Sequence, residues 1–238
     1  HPVFGGLRIR DLGLPMLILG VPALLIMKQP DLGTAIMVIM VVGAVLVYVG
    51  IRWSTIAYLA LAAVPLVWTA WHFFLREYQK NRILNFLDPE RDPLKSGYHI
   101  IQSKIAVGSG GLAGKGYLQG TQSQLRFLPE QHTDFAFSVF AEEWGFVGCL
   151  VVVALYLVLV LWGLQVANRC SDRFGSLLAV GITAMLFWHI VINMGMVIGL
   201  FPVVGVPLPF FSYGGTSMVT SMIGVGILLN ISMRRFMF

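Results

Sequence analysis

Six long apolar runs, almost free of charge, set the limits on what this chain can fold into. They are Leu12–Met27, Leu32–Gly50, Thr55–Leu75, Phe146–Ala167, Phe174–Leu200 and Thr216–Ser232. A bilayer core about 30 Å thick takes roughly 20 apolar residues in a helix, and most of these runs reach or approach that length. Barrel strands would alternate polar and apolar residues, which these segments do not. Pro15 and Pro22 interrupt the first run and Pro65 the third; membrane helices tolerate proline where neighbouring groups satisfy the freed carbonyls. The expected fold is therefore an all-α polytopic membrane protein. It has about six transmembrane helices in a single membrane domain over residues 1–238.

Composition closes the other routes. Of 238 residues, 57% are apolar and only 11% are Asp, Glu, Lys or Arg, against about 25% charged in soluble domains. That excludes a soluble globule, a disordered chain and a nucleic-acid binder, despite a net charge of +5. Cys149 and Cys170 each lie in or beside an apolar run, so neither a disulfide framework nor a zinc spacing is present. The sequence opens on His1 with no basic n-region, as expected of a fragment or a processed product.

The charges that remain fix an orientation. Arg8, Arg10, Arg52, Arg169, Arg173, Arg234 and Arg235 fall in loops on one side, against Lys28 in the short loops of the other. The positive-inside rule makes the first side cytoplasmic, with the C-terminus inside. Residues 76–145 then form one large extracytoplasmic loop. It holds Glu77, Asp88, Glu90, Asp92, Glu130, Asp134, Glu142 and Glu143, eight of the eleven acidic residues. A connection this long is functional or disordered, and its scattered Ile, Leu and Phe residues argue for order. Gly97–Val107 has helical spacing of its apolar residues, and the glycine-rich stretch after it reads as an ordered re-entrant cap over the membrane.

Within this loop, Phe127-Leu-Pro-Glu130 and His132-Thr-Asp134-Phe135 stand just ahead of an apolar run. Pro129 can open a turn, and Thr133 can cap a helix whose first turn holds Asp134. Asp134 fits two roles: a helix-capping group, or a base with its pKa raised at an apolar boundary. Glu142, eight residues on, would share its face about 12 Å away, too far for a retaining carboxylate pair; simple interfacial solvation explains it equally well. Gly108–Gly120 with Lys104 and Lys115 can cradle a diphosphate through backbone N–H groups, although the P-loop spacing is absent. Phe201–Gly215 carries three prolines and three glycines and reads as non-helical backbone at membrane depth, which requires cover by protein or a watery cavity. Ser212 and the N–H groups after Gly214 are expected to face the same outer cavity as Asp134. Inside the spans only His72 and His189 titrate, which is poor equipment for a pump or secondary transporter.

Several motifs in order carry a resemblance. Gln29-Pro-Asp-Leu-Gly-Thr34, Gly97-Tyr-His-Ile-Ile-Gln-Ser-Lys104, Gly120-Thr-Gln-Ser-Gln124, His132-Thr-Asp-Phe135, and Pro202-Val-Val-Gly-Val-Pro207 with Ser212-Tyr-Gly-Gly215 resemble the SEDS family (shape, elongation, division, sporulation). The Gly97 and Gly120 stretches are closer to its rod-shape branch than to its division branch. The resemblance implies a peptidoglycan glycosyltransferase of the bacterial cytoplasmic membrane that polymerises lipid II beside a class B penicillin-binding protein. It also implies a fold of ten helices, of which the six spans match the last six. Asp134 matches the family's proposed catalytic aspartate. Arg82, Lys104 and Lys115, or a divalent cation such as Mg²⁺ or Mn²⁺, would offset charge on a departing diphosphate. Glu130, His132, Glu142 and Ser212 complete the expected substrate-binding set. Arg126 stands where many relatives carry an acidic residue. A lipid-precursor flippase and a non-catalytic scaffold for the crosslinking enzyme are the rival functions.

Overall fold

The computed structural model describes residues 7, 9–29, 31–88, 96–124 and 132–234. Among these residues every element is helical, apart from a single bridge between Leu7 and Ile51. The helices are α1 (Gly13–Lys28), α2 (Leu32–Val49), α3 (Trp53–Thr69), α4 (Glu77–Leu87), α5 (Ser96–Ser109), α6 (Thr121–Gln124), α7 (Ala136–Arg169), α8 (Arg173–Val197) and α9 (Gly215–Arg234). Five helical stretches are long and apolar enough to cross a membrane: Ile9–Lys28, Trp53–Phe73, Ala136–Arg169, Arg173–Val197 and Gly215–Arg234. The second expected span forms a shorter apolar helix over Gly33–Val49. The chain is thus an all-α polytopic membrane protein. It divides into two compact units, His1–Asn81 and Arg82–Phe238.

In the first unit, local chemistry sets the helix ends. Asp31 caps α2 by accepting from Thr34 N at 3.1 Å and Thr34 Oγ1 at 2.6 Å, which satisfies an amide the first turn leaves without an intrahelical partner. Pro65 lies inside α3 and has no N–H to bond four residues back. One turn later the Thr69 hydroxyl donates to Pro65 O at 2.9 Å and Leu66 O at 3.0 Å, and the chain widens into a π turn over Ala70–Phe74.

In the second unit, α8 packs between α7 and α9, and small residues let the backbones approach. A Cβ on Gly163 of α7 would stand 2.3 Å from Thr183 Oγ1 of α8, and one on Gly224 of α9 would stand 3.0 Å from Ile182 Cγ2. Close approach of this kind is what holds helices together in lipid, where burial of apolar side chains alone gives no advantage. The buried cluster Ala106, Phe135, Phe137, Tyr156, Ile190, Val197 and Leu208 joins α5, α7, α8 and the chain after α8. Tyr156 adds a hydrogen bond to Pro209 O at 2.6 Å. Leu150, Leu155, Val158 and Leu161 on α7 remain more than half exposed, as a lipid-facing stripe must.

The fourth span begins earlier than the hydropathy indicates. α7 starts at Ala136, ten residues before Phe146, and bends at Gly145, where φ is 65° and ψ is −163°. The polar stretch before Phe146 hid this first segment from a hydropathy reading. The cap position falls on Phe135 rather than on Thr133, and the Phe135 side chain makes no capping bond.

Candidate active site

Asp134 lies in the turn His132–Phe135, ahead of α7, and is half-buried. Its surroundings come from α8 and from the non-helical segment 199–214. Gly205 has φ +71°, and a Cβ placed there would stand 3.3 Å from Asp134 Oδ2, so the carboxylate rests against this glycine. The amide Nδ2 of Asn193 on α8 donates to Asp134 O at 2.9 Å and to Val206 O at 2.7 Å. Tyr213 N donates to His132 O at 2.8 Å. The turn bearing Asp134 and the proline-rich segment are therefore joined through Asn193 and through Tyr213 N.

Ser212 itself is turned inward. It is buried, its Oγ accepts from Leu208 N at 2.9 Å, and its N–H donates to Leu208 O at 3.0 Å. Its hydroxyl thus closes the Leu208–Ser212 turn. His132 is exposed beside Asp134.

The glycine-rich run has a visible mechanical task. The flipped backbone at Gly145 interrupts the ladder of α7, in which Phe146 N–H and Val147 N–H would bond the carbonyls of Glu142 and Glu143. They donate instead to Gly111 O at 2.9 Å and Leu112 O at 3.1 Å. The two carbonyls accept from Lys115 N and Gly116 N, each at 3.0 Å. The loop inserts into the broken helix and satisfies these four backbone groups. Such contact excludes side chains: a Cβ on Gly110 or Gly114 would fall 2.0 or 2.1 Å from a carbonyl oxygen of α7.

The same wrap buries Glu142 completely. Its Oε1 accepts from Lys115 Nζ at 2.7 Å, Gln122 N at 3.1 Å, Thr121 Oγ1 at 3.2 Å and Ser109 Oγ at 3.5 Å. Glu142 and Lys115 thus form an ion pair that locks the loop, and the Lys115 ammonium is already matched by a carboxylate. Lys104 differs. On α5, next to Ser103, whose hydroxyl donates to Val197 O at 2.8 Å, it lays its chain over Gly199; a Cβ there would meet Lys104 Cε at 1.9 Å. Lys104 is exposed, and no described carboxylate pairs with it. Gly199 and Gly205 are six residues apart, so the backbone beneath Lys104 and that beneath Asp134 are separated by roughly 20 Å at most.

Arg82 is exposed on α4. Glu130, Pro129 and Arg126 lie outside the described residues. No group of three or more His, Cys, Asp or Glu among the described residues could hold a metal. His72 Nδ1 and His189 Nδ1 lie 2.9 and 2.8 Å from the carbonyls of Trp68 and Met185 one turn back, an ordinary arrangement inside a helix. Beside the kink, Ala113, Phe140, Trp144, Val147, Gly148, Val151 and Val152 line an apolar groove of about 500 Å³.

A family model, that of the cell cycle proteins FtsW, RodA and SpoVE, matches residues 6–236. The chain belongs to this family. Among its relatives, peptidoglycan glycosyltransferase MrdB of Escherichia coli (strain K12) is 48% identical over 229 residues, which cover 96% of this chain and 62% of MrdB. Peptidoglycan glycosyltransferase RodA of Treponema pallidum (strain Nichols) is 51% identical over 161 residues, 68% of this chain and 37% of that protein. The fold is also that of a chain in a peptidoglycan synthase complex coordinating polymerization and crosslinking, with a TM-score of 0.80 and 34% identity over 99% of this chain and 65% of that one. The FtsW/RodA/SpoVE kinship is the one the motifs resemble. This chain spans 62% of the length of MrdB.

Proposed function

We propose that this chain carries the acceptor-activating part of a peptidoglycan glycosyltransferase that polymerises lipid II at the outer face of the bacterial cytoplasmic membrane, with its C-terminus in the cytoplasm. The observation that carries the reading is the seating of Asp134. Its carboxylate rests on Gly205, its main chain is tied to α8, and Lys104, paired with no described carboxylate, stands over the same segment. Family membership and the names of the relatives supply the reaction class.

In this reading Asp134 accepts the proton of the acceptor sugar's 4-hydroxyl as that oxygen attacks the donor's anomeric carbon. The bond from that carbon to the undecaprenyl diphosphate breaks, the configuration inverts, and the diphosphate leaves with the bonding electrons. An ordinary carboxylate is a weak base for a sugar hydroxyl, so proton transfer runs together with departure of the diphosphate. Lys104 is the described cation best placed to offset the charge that develops on it. Since Glu142 neutralises Lys115, that residue holds the loop. A divalent ion would arrive on the diphosphate itself, because the described residues offer no cage. The apolar groove beside the kink suits an isoprenoid tail. A class B penicillin-binding protein is the proposed partner, supported by the likeness to a chain of a peptidoglycan synthase complex that coordinates polymerization and crosslinking.

The test is polymer formation by purified full-length protein with labelled lipid II. Asp134→Asn is expected to abolish glycan chains, a loss of about 100-fold or more, while membrane expression stays normal. Normal chains from that variant would end the assignment, and would favour a scaffold or a flippase.

A further inference from the structure

Asn193 sits in the middle of unit 2 with 0% of its surface exposed. An amide carried into an apolar helix loses hydration and must recover it in hydrogen bonds. Here both donors of Nδ2 go to backbone carbonyls, Asp134 O at 2.9 Å and Val206 O at 2.7 Å, while the buried Oδ1 has no donor among the described residues. The two N–H bonds of one planar amide diverge by about 120°, which holds the two carbonyl oxygens within about 5 Å of each other. One carbonyl belongs to the residue that bears the carboxylate. The other follows directly after Gly205, the residue against which that carboxylate rests. A side chain present only to fill space would serve better as an apolar group of the same shape. An amide whose two N–H groups hold the carbonyls of two separate segments is placed for geometry.

We infer that Asn193 is a positioning residue for polymerisation: it clamps the Asp134 turn to the Val206 backbone and so sets where the carboxylate points. This rests on the reading of Asp134 as the base. Asn193 acts through Asp134 and Val206 and touches no sugar. Without the clamp, the turn loses the bond that fixes the main chain at Asp134 itself, while the tie from Tyr213 N to His132 O lies two residues away. A base works only within hydrogen-bond reach of its proton, and a displacement near 1 Å costs about 100-fold in rate.

The experiment measures initial polymerisation rates against lipid II concentration for full-length protein in detergent, with its crosslinking partner present throughout. Asn193→Leu removes both donors. It is expected to lower kcat about 100-fold and to leave KM within about twofold, since the clamp does not hold substrate. In Asn193→Asp the buried acid, while protonated, keeps one donor. Its kcat is expected to fall less, and to fall further as pH rises and the new carboxylate faces two carbonyls. Leu228→Ala, which opens a cavity on α9, is the comparison: lower thermal stability with kcat retained. A wild-type kcat in Asn193→Leu, with Asp134→Asn inactive, overturns the positioning role and leaves the base intact. A loss in Asn193→Leu that Leu228→Ala reproduces at equal thermal stability also overturns it. Activity in Asp134→Asn overturns the base reading instead. Should Asn193→Leu fail to accumulate folded, Asn193→Ser, too short to bridge both carbonyls, decides by the same kcat criterion.

Discussion

At the scale of single residues, burial separates two lysines that look alike in the sequence. Lys115 donates to the fully buried Glu142 at 2.7 Å and to Thr121 Oγ1 at 2.9 Å. Removing it takes from a carboxylate in the interior its ion-pair partner among the described residues, and breaking a buried pair in this way typically costs about 3 kcal/mol. Lys115→Ala is therefore expected to lower the thermal midpoint of the purified protein markedly, and Glu142→Ala to do the same; an unchanged midpoint would contradict the lock. Lys104 has no described carboxylate to lose. Lys104→Ala should leave the thermal midpoint within error while lowering the polymerisation rate about tenfold or more, the scale on which a group facing a developing charge acts. Equal effects of the two substitutions on both readouts would refute the division of labour.

At the scale of elements, the bend in α7 and the glycine loop form one device. Gly145 adopts a φ/ψ pair open to almost no residue with a Cβ, and a Cβ there would also fall 2.3 Å from Gly114 N. Gly145→Ala is expected to cost about 3 kcal/mol or more through strain and collision together. Thermal unfolding in detergent measures it, and a loss below about 1 kcal/mol would show that the bend relaxes. The sequence announces the glycines but not their purpose: Gly110 and Gly114 are needed where α7 passes, and α7 lies some thirty residues further along the chain. For the same reason a diphosphate cradle and a strap on a broken helix look identical in one dimension.

For the whole molecule, the apolar runs made the class of fold legible, because long segments with this little charge and no polar–apolar alternation satisfy their backbone in lipid as helices rather than as barrel strands. They placed α8 and α9 closely and missed the first turns of α7, whose glutamates and tryptophan disguise a helix that is buried by the loop rather than by lipid. The candidate site was legible through His132, Asp134 and the proline-rich segment, which the structure joins. Asn193 went unread. The signal available for it was an amide within an otherwise apolar span, and nothing in the spacing says which carbonyls it holds. The motifs place Ser212 and Glu142 in the substrate-binding set, whereas in the structure Ser212 Oγ and Glu142 Oε1 bond to neighbouring groups of the fold.

The central claim is that the Asp134 carboxylate takes a proton from the acceptor rather than holding the lipid-linked substrate. Its most direct test joins two measurements on one variant: the affinity of full-length Asp134→Asn for lipid II, and its rate of glycosidic bond formation in a single turnover. The account predicts a Kd within about threefold of wild type beside a rate at least 100-fold lower. A variant that binds far more weakly but couples bound sugars at the normal rate would contradict it.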